Sequence, residues 1–290
     1  MRVAAAAYPL DPITSWAEWE RKTARWVAEA RADLLVFPEY GAMELAHLDG
    51  AAVAGDLEAS LHAAARHEVR ALEHWGALAA RHRCHVLTPS GPAEGGRARP
   101  VNRTWLVGPD GPLGHQDKQV MTRFERETWG VVGGDPLRIF AVEGWTVGVL
   151  ICYDAEFPAL GAALDDRGCD LILAPSCTDA VAGWTRVHVG ARARALELQC
   201  PVVHAPTVGA CDWSPAVDEN RGAAAIYGPP DTGFPETGIV AMGAMDAPGW
   251  VRATLDRDAV RRVRADGRVL NRRHRGEAER AARGTGLPNG

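Results

Sequence analysis

The sequence predicts a single domain of the α/β class, and two observations support that prediction. Short apolar runs, typical of buried strands, alternate along the chain with longer segments that have helical spacing. The composition, 47% apolar and 24% charged residues, is that of an ordinary globular chain that can bury a large core. No linker-like segment divides the 290 residues, so we expect one domain, although this length approaches the upper limit for a single core.

The N-terminal elements begin the alternation. Residues 2–8 have the pattern of a first strand, and residues 16–32 have helical spacing with Ser15 as the candidate N-cap. Residues 33–38 form a short apolar run closed by a proline, which is typical of an inner strand. The end of this strand would place Glu39 in a loop.

The middle of the chain contains a helix and a hairpin. A second long helix is predicted over residues 57–82, and strands at 84–89 and 102–107 follow it. The segment 108–111, Gly-Pro-Asp-Gly, then indicates a turn to a strand that enters Lys118.

The alternation continues through the second half. Strands at 138–142 and 146–151 are joined at Glu143-Gly144, and the second of them ends at Cys152. The remaining predicted elements are a helix at 158–167, a strand at 170–174, a helix at 184–198 and a strand at 201–205.

The charge distribution limits the classes of binding partner that the sequence predicts. The net charge of −5 comes from 32 basic and 37 acidic residues that are mixed along most of the chain, so no nucleic-acid surface is predicted. The stretch 252–283 is rich in arginine but interrupted by acidic residues, which favours a solvated or partner-facing tail. We therefore expect the main domain over residues 1–256 and an arginine-rich C-terminal extension over 257–290 within the same unit.

The chain lacks the signals of export, membrane insertion and metal binding. Its first apolar run meets Pro9 too early for a secretory signal, and no 18 apolar residues run together. Six scattered cysteines show neither the pairs of a zinc site nor the density of a disulfide scaffold. We expect a cytoplasmic protein with reduced thiols, no membrane contact and no metal.

Three predicted strands end beside residues that could carry chemistry. These are Glu39 after Phe-Pro, Lys118, and Cys152 in the segment Cys-Tyr-Asp. Ligands of open α/β sheets bind beyond the carboxyl ends of strands, so one shared site is physically sensible. A thiol needs a base or a positive field to react, and a tetrahedral intermediate needs donors for its oxyanion. Glu, Lys and Cys can supply these functions.

In these segments the sequence resembles the carbon-nitrogen hydrolase (nitrilase) superfamily. That family carries Phe-Pro-Glu, then a lysine, then Cys-Tyr-Asp followed by Phe-Pro, here Phe157-Pro158. The intervals from Glu39 to Lys118 and from Lys118 to Cys152 are 79 and 34 residues, both ordinary for the family. The resemblance extends over about residues 2–256.

The resemblance implies a fold and an assembly. The fold is a four-layer α-β-β-α sandwich, and family members pair through an outer helical layer, so a homodimer or higher homo-oligomer is expected. The family needs no cofactor and no metal, because the nucleophile, the base and the oxyanion donors are protein groups.

The resemblance also implies a role for each catalytic residue. Glu39 is the general base, Cys152 is the nucleophile, and Lys118 and the backbone N–H of Tyr153 hold the oxyanion. Many members carry a second glutamate between the lysine and the cysteine. Glu127 is favoured because Trp follows two residues later, as in aliphatic amidases, and Glu125 is the other candidate.

Further residues are candidates for lining the pocket or the turn after the nucleophile. Asp154 and Glu156 either hydrogen-bond that turn or contact the substrate, and the first interpretation is favoured. Candidate substrate-binding residues are Trp129, Ser176 and Trp184, for which core packing is the competing interpretation.

The resemblance favours hydrolysis of a small non-peptide amide, because Tyr153-Asp154 resembles amidases more than true nitrilases. D-amino-acid carbamoylases place an arginine just after the cysteine, but Ala155-Glu156 stands there in this sequence. This difference argues against a ureido-acid substrate. The alternatives are a nitrile hydrolase of the same superfamily and a noncatalytic binding or scaffold protein with the same fold.

Overall fold

The structure, a computed structural model, describes residues 1–284 and contains one mixed sheet with helices on its outer faces. The strands are β1 (Arg2–Pro9), β2 (Leu34–Val36), β3 (His85–Leu87), β4 (Gly91–Ala93), β5 (Val101–Gly108), β6 (Gly111–Asp117), β7 (Ile139–Val142), β8 (Trp145–Val149), β9 (Leu171–Ser176), β10 (Val202–Ala210), β11 (Glu219–Asn220), β12 (Ala225–Tyr227), β13 (Ile239–Met242) and β14 (Gly249–Thr254).

The α-helices are α1 (Trp16–Ala30), α2 (Ala51–Ala54), α3 (Leu57–Arg66), α4 (Glu68–His82), α5 (Pro158–Asp165), α6 (Val181–Leu198), α7 (Arg257–Asp266) and α8 (Asn271–Gly284). Short 3-10 segments occupy Gly41–Asp49 and Cys152–Glu156, and a π-helical turn occupies Phe124–Trp129. Of the helices in residues 1–284, none has both the length and the apolar character needed to cross a membrane.

The sheet curls so that its two halves face each other. Its strand order is β4-β5-β3-β2-β1-β10-β9-β8-β7. Most of β1 pairs with β2 and β14, whereas only its last two residues, Tyr8 and Pro9, pair with Thr207 and Val208 of β10. The sheet therefore bends at this junction.

Alternating residues of β1 show the layers. Val3 and Ala5 face a core that they share with β8, β9 and the inner side of α6, whereas Ala4 and Ala6 face a second core that includes α1 and α4. This alternation has the period of two expected of a strand covered on both faces. The order is helices, half-sheet, half-sheet, helices, so the predicted α/β class and four-layer α-β-β-α sandwich are confirmed.

The first predicted helix is confirmed, whereas the second is interrupted. Ser15 caps α1 as predicted, and its side chain accepts a hydrogen bond from the Glu18 N–H. The long helix predicted over 57–82 is wrong, because α3 ends and α4 begins at His67. The His67 ring lies 2.8 Å from Asp49, and its backbone N–H bonds back to the Ala64 and Ala65 carbonyls.

The arginine-rich end forms two helices against the domain. In α7, Val260 and Val263 are buried, and Arg257 binds Asp170 at 2.7 Å. In α8, Arg272 and Arg275 both bind the carboxylate of Asp165. Some arginines of this segment therefore attach the two helices to the domain through ion pairs, instead of being only solvated. Residues 285–290 of the predicted extension lie outside the described residues.

Candidate active site

Three predicted side chains meet beyond the strand ends. Lys118 Nζ lies 2.7 Å from Glu39 Oε1, and Glu39 is close enough to Cys152 for each side chain to shift the pKa of the other. The exposed fractions of Glu39, Lys118 and Cys152 are 1%, 1% and 4%. Strands β2, β6 and β8 end within three residues of these side chains, so the parallel arrangement of the sheet brings the groups together.

Glu125, and not Glu127, completes the charge cluster. Its two carboxylate oxygens lie 2.8 and 2.6 Å from Lys118 Nζ, and the residue is 2% exposed. The side chain of Glu127 is 53% exposed and binds Arg123 at 2.9 Å. The choice of Glu127 as the second glutamate is therefore corrected to Glu125.

The π-helical turn explains which glutamate points inward. Residues two apart on a helical turn face nearly opposite sides, so Glu125 and Glu127 cannot both reach Lys118. The backbone N–H and the hydroxyl of Thr122 each donate to Glu125 Oε2 at 2.8 Å. These two hydrogen bonds from Thr122 hold the Glu125 carboxylate in its inward orientation.

Further groups that sequence reasoning did not identify hold the two carboxylates. The Tyr40 hydroxyl donates to Glu125 Oε1 at 2.6 Å, and Asn102 Nδ2 donates to Glu39 Oε1 at 2.9 Å. The Cys177 backbone N–H donates to Glu39 Oε2 at 2.9 Å. The adjacency of Tyr40 to Glu39 in sequence is a signal that could have identified Tyr40. Asn102 lies on β5 and Cys177 follows β9, so their sequence positions gave no such signal.

The nucleophile candidate lies on a strained turn. Cys152 has φ of 52°, in the left-handed region that non-glycine residues rarely adopt. Its Sγ lies 3.6 Å from the carbonyl oxygen of Cys177. Tyr153 is the second residue of the following 3-10 segment, where backbone N–H groups have no partner within the segment and can donate to a ligand.

Asp154 ties this turn to the lysine loop. Its buried carboxylate accepts the backbone N–H groups of Gln119, Val120 and Ile151 at 3.1, 2.8 and 3.3 Å. For Asp154 the favoured interpretation, hydrogen bonding of the turn after the nucleophile, agrees with these contacts, whereas the charged partner of Glu156 is Arg186, at 3.7 Å. The Asp154 side chain also positions the segment that follows Lys118.

Replacing Asp154 by asparagine should therefore loosen both segments. An amide NH2 would face a backbone donor, and we expect a loss of about 1–3 kcal/mol in the free energy of unfolding. Urea unfolding measures this loss. Asp110→Asn, in the exposed hairpin turn, is the matched control, and equal unfolding midpoints for the two variants would contradict the assigned role.

The cluster controls the protonation of its members. Burial raises the pKa of Glu39, although the Lys118 ammonium opposes the shift. Burial alone would lower the pKa of Lys118, but Glu39 and Glu125 raise it well above its usual range. Burial and the neighbouring Glu39 carboxylate raise the pKa of the Cys152 thiol. At neutral pH the resting site therefore contains a protonated thiol and a charged lysine, both beside Glu39.

The three candidate substrate-binding residues have structural partners. Trp129 is 2% exposed, and its indole N–H donates to the Leu57 carbonyl at 3.0 Å. The hydroxyl of buried Ser176 lies 2.8 Å from His204 Nε2. Trp184 is half-buried and donates to the Ala223 carbonyl at 3.1 Å. The ring of Trp129 also packs against Tyr40 at 4.9 Å, so core packing and a place beside the site both remain open for Trp129, and substrate binding by the three residues stays a prediction.

One group of side chains has the composition of a metal site. The ligand atoms of His115, Asp117 and Asp135 lie within 4.8 Å of one another. However, Arg103 binds Asp117 at 2.7 Å and Arg138 binds Asp135 at 3.1 Å. These arginines neutralise the carboxylates, so the group has the features of an ion-pair network.

Comparison with known proteins places the chain in a family. A family model for carbon-nitrogen hydrolases matches residues 2–265. The chain is 28% identical over 277 residues to the probable hydrolase YhcX of Bacillus subtilis (strain 168), which covers 93% of this chain and 52% of that protein. The matched region spans about half the length of this relative and of a second curated relative, the hydrolase in pqqF 5'region of Pseudomonas protegens.

Solved structures share the fold. Saccharomyces cerevisiae Nit3, a member of branch 10 of the nitrilase superfamily, has a TM-score of 0.68 at 19% identity, covering 91% of this chain and 93% of that one. A double mutant of the amidase from Nesterenkonia sp. AN1 in complex with acrylamide has a TM-score of 0.67 at 20% identity, covering 97% of each chain. Since the family match spans nearly the whole sequence, the chain belongs to the carbon-nitrogen hydrolase family.

Proposed function

We propose that the chain is an amidase that hydrolyses a small non-peptide amide through a thioester on Cys152. The observation that carries this proposal is the buried contact of Lys118 with both Glu39 and Glu125, beside a cysteine on a strained turn. Nucleophile, base and oxyanion donor are then all present within one site.

The first half-reaction forms the acyl-enzyme. Glu39 takes the thiol proton of Cys152 as sulfur attacks the amide carbonyl carbon, and the oxyanion is held by Lys118 Nζ and the Tyr153 N–H. The intermediate collapses, the C–N bond breaks, and the proton on Glu39 passes to the departing nitrogen. The products are a thioester and ammonia or an amine.

The second half-reaction restores the enzyme. Glu39 takes a proton from water as the water oxygen attacks the thioester carbonyl. The same donors hold the second oxyanion. Collapse breaks the C–S bond, the carboxylic acid leaves, and the proton on Glu39 returns to the thiolate of Cys152. Glu125 acts as a positioning residue, because its contacts hold the ammonium of Lys118 in place.

Amide is preferred to nitrile for two reasons. Tyr153-Asp154 follows the nucleophile, and the Nesterenkonia relative in the acrylamide complex is an amidase. Ammonia release from a panel of aliphatic, aromatic and dicarboxylic monoamides, each with its matching nitrile, tests the proposal. Release from amides that requires Cys152 supports it, whereas release from nitriles alone favours the nitrile hydrolase, and silence throughout favours a binding protein.

The pH dependence of turnover should follow Glu39. The base acts only as the carboxylate, so kcat/KM is retained above its pKa and lost as the pH falls through it. Burial raises this pKa, so we expect the acid midpoint above 4.5, the ordinary glutamate value. No alkaline decline is expected below 10.5, because Lys118 has a pKa well above that value. A rate that instead rises with ionisation of a free thiol would contradict the role of Glu39.

A further inference from the structure

Asn102 of β5 is a neutral side chain inside the charged cluster of the site. It is 0% exposed and lies on the same face of β5 as buried Leu106, between the two half-sheets. Its Nδ2 donates to Glu39 Oε1 at 2.9 Å, and its backbone carbonyl accepts the N–H of Lys118 at 2.9 Å. One residue therefore contacts both the candidate base and the lysine beside it.

The amide of Asn102 is used on one side only. Among residues 1–284, no donor reaches its buried Oδ1. The reverse orientation of the amide would place Oδ1 against the Glu39 carboxylate, so the NH2 group faces Glu39. An unpartnered buried acceptor lowers stability, and an apolar side chain of similar shape would avoid that cost. The amide therefore contributes through the contact of Nδ2 with Glu39.

The two carboxylate oxygens of Glu39 have different surroundings. Oε1 accepts hydrogen bonds from Asn102 Nδ2 and, at 2.7 Å, from Lys118 Nζ. Oε2 accepts the backbone N–H of Cys177 at 2.9 Å, and the carbonyl oxygen of Cys177 lies 3.6 Å from Cys152 Sγ. Each carboxylate oxygen has two lone pairs, so Oε1 is saturated, whereas Oε2 retains one for a proton. Oε2 and the thiol also contact the same main-chain residue.

We propose that Asn102 is a positioning residue that keeps Glu39 charged and oriented so that Oε2 takes the proton of Cys152. This inference rests on the proposed amidase function and adds a group to its first step. The S–H bond breaks, an O–H bond forms at Oε2, and the electron pair on sulfur attacks the amide carbonyl carbon. Asn102 exchanges no proton, so it acts through Glu39.

The charge of Glu39 depends on groups that oppose one another. Burial raises the pKa of Glu39, Lys118 opposes the rise, and Glu125 adds to it. The titratable groups around this carboxylate are Lys118, Glu125, Cys152, Tyr40 and Cys177. A hydrogen bond donated to a charged carboxylate lowers its pKa, so loss of the Asn102 donor should raise the pKa of Glu39 further. The base would then be lost at a higher pH as the pH falls.

Substitution of Asn102 tests this effect on the full chain. Asn102→Leu keeps the approximate volume and removes the donor, and Asn102→Ala takes its place if the leucine variant does not fold. For a neutral amide, the acid midpoint of kcat/KM should rise by about one pKa unit or more, with KM within about twofold of the wild type.

Thr104→Val is the matched control. Thr104 is buried on the same face of β5, and its hydroxyl donates to the Thr88 carbonyl at 2.7 Å. The variant therefore loses one buried hydrogen bond on the same strand without losing a donor to Glu39. Its acid midpoint should equal that of the wild type.

Alkylation of Cys152 by iodoacetamide separates this inference from the amidase proposal. The reaction requires loss of the thiol proton but no cleavage of a C–N bond, and peptide mass spectrometry distinguishes Cys152 from the other cysteines. We expect the acid midpoint of alkylation to rise in the Asn102 variant and not in Thr104→Val, even if no amide is hydrolysed.

An unchanged midpoint of alkylation in the Asn102 variant, or an equal rise in Thr104→Val, would overturn the inference. So would an unchanged midpoint of kcat/KM where an amide is hydrolysed. Hydrolysis that requires Cys152 would still support the amidase in either case.

Discussion

Replacing Cys152 by alanine is expected to lower amide hydrolysis by about ten-thousandfold or more, because no other group can form the covalent intermediate. The effect should fall on kcat rather than on folding. Alanine has to adopt the same left-handed backbone conformation as the cysteine it replaces, with φ of 52°, and its side chain is no larger than that of cysteine. Steady-state ammonia release gives the rate, and thermal unfolding confirms that the fold persists.

Cys84→Ala is the matched control for this variant. Cys84 is also buried, at 2% exposure, and burial raises its pKa to about 11, but it packs among the helices of the outer core. Its loss should leave turnover within a few-fold of the wild type. Equal losses in both variants would show that thiol burial in general, and not the nucleophile, limits activity.

Replacing Glu125 by glutamine should be the second largest loss, roughly a hundredfold to a thousandfold in kcat, comparable to removal of one oxyanion donor. The amide keeps the shape but removes the charge that holds Lys118, and its NH2 would face an ammonium. Lys118 would then shift toward Glu39 and compete for the base. Turnover of a neutral amide, with KM and kcat separated, measures this.

Glu127→Gln supplies the control within the same turn. The change in charge is identical, but the Glu127 side chain is 53% exposed and forms an ion pair with Arg123 rather than with Lys118. Turnover should remain near that of the wild type. Inactivation by Glu127→Gln together with an active Glu125→Gln variant would restore the original choice of Glu127.

The fold was largely predictable because its strands are apolar and short. The runs at 33–38, 102–107 and 170–174 each overlap an observed strand, and the first and third are almost wholly apolar, as expected of strands that are buried on both faces. The break at His67 was not predictable, because helical spacing continues through it, and the contact of His67 with Asp49 is visible only in the folded chain. Sequence also could not show that α7 and α8 pack on the domain.

The site was predictable where chemistry and local sequence coincide. Glu39, Lys118 and Cys152 follow strands directly, so their convergence follows from the sheet. Glu125 and Glu127 could not be distinguished, because the outcome depends on the rotation of one π-helical turn. Asn102 reaches Glu39 from another strand, and only the folded arrangement reveals that contact.

The most direct test of the account is mass spectrometry of the rapidly quenched protein during turnover of an amide that it hydrolyses. We predict an acyl group bound to the Cys152 peptide and its absence in Cys152→Ala. In a Glu39→Gln variant, the acyl group should accumulate only if attack of the thiol on the amide remains faster than hydrolysis of the thioester. An acyl group on another residue, or rapid hydrolysis by the Cys152→Ala variant, would contradict the assignment of Cys152 as the nucleophile.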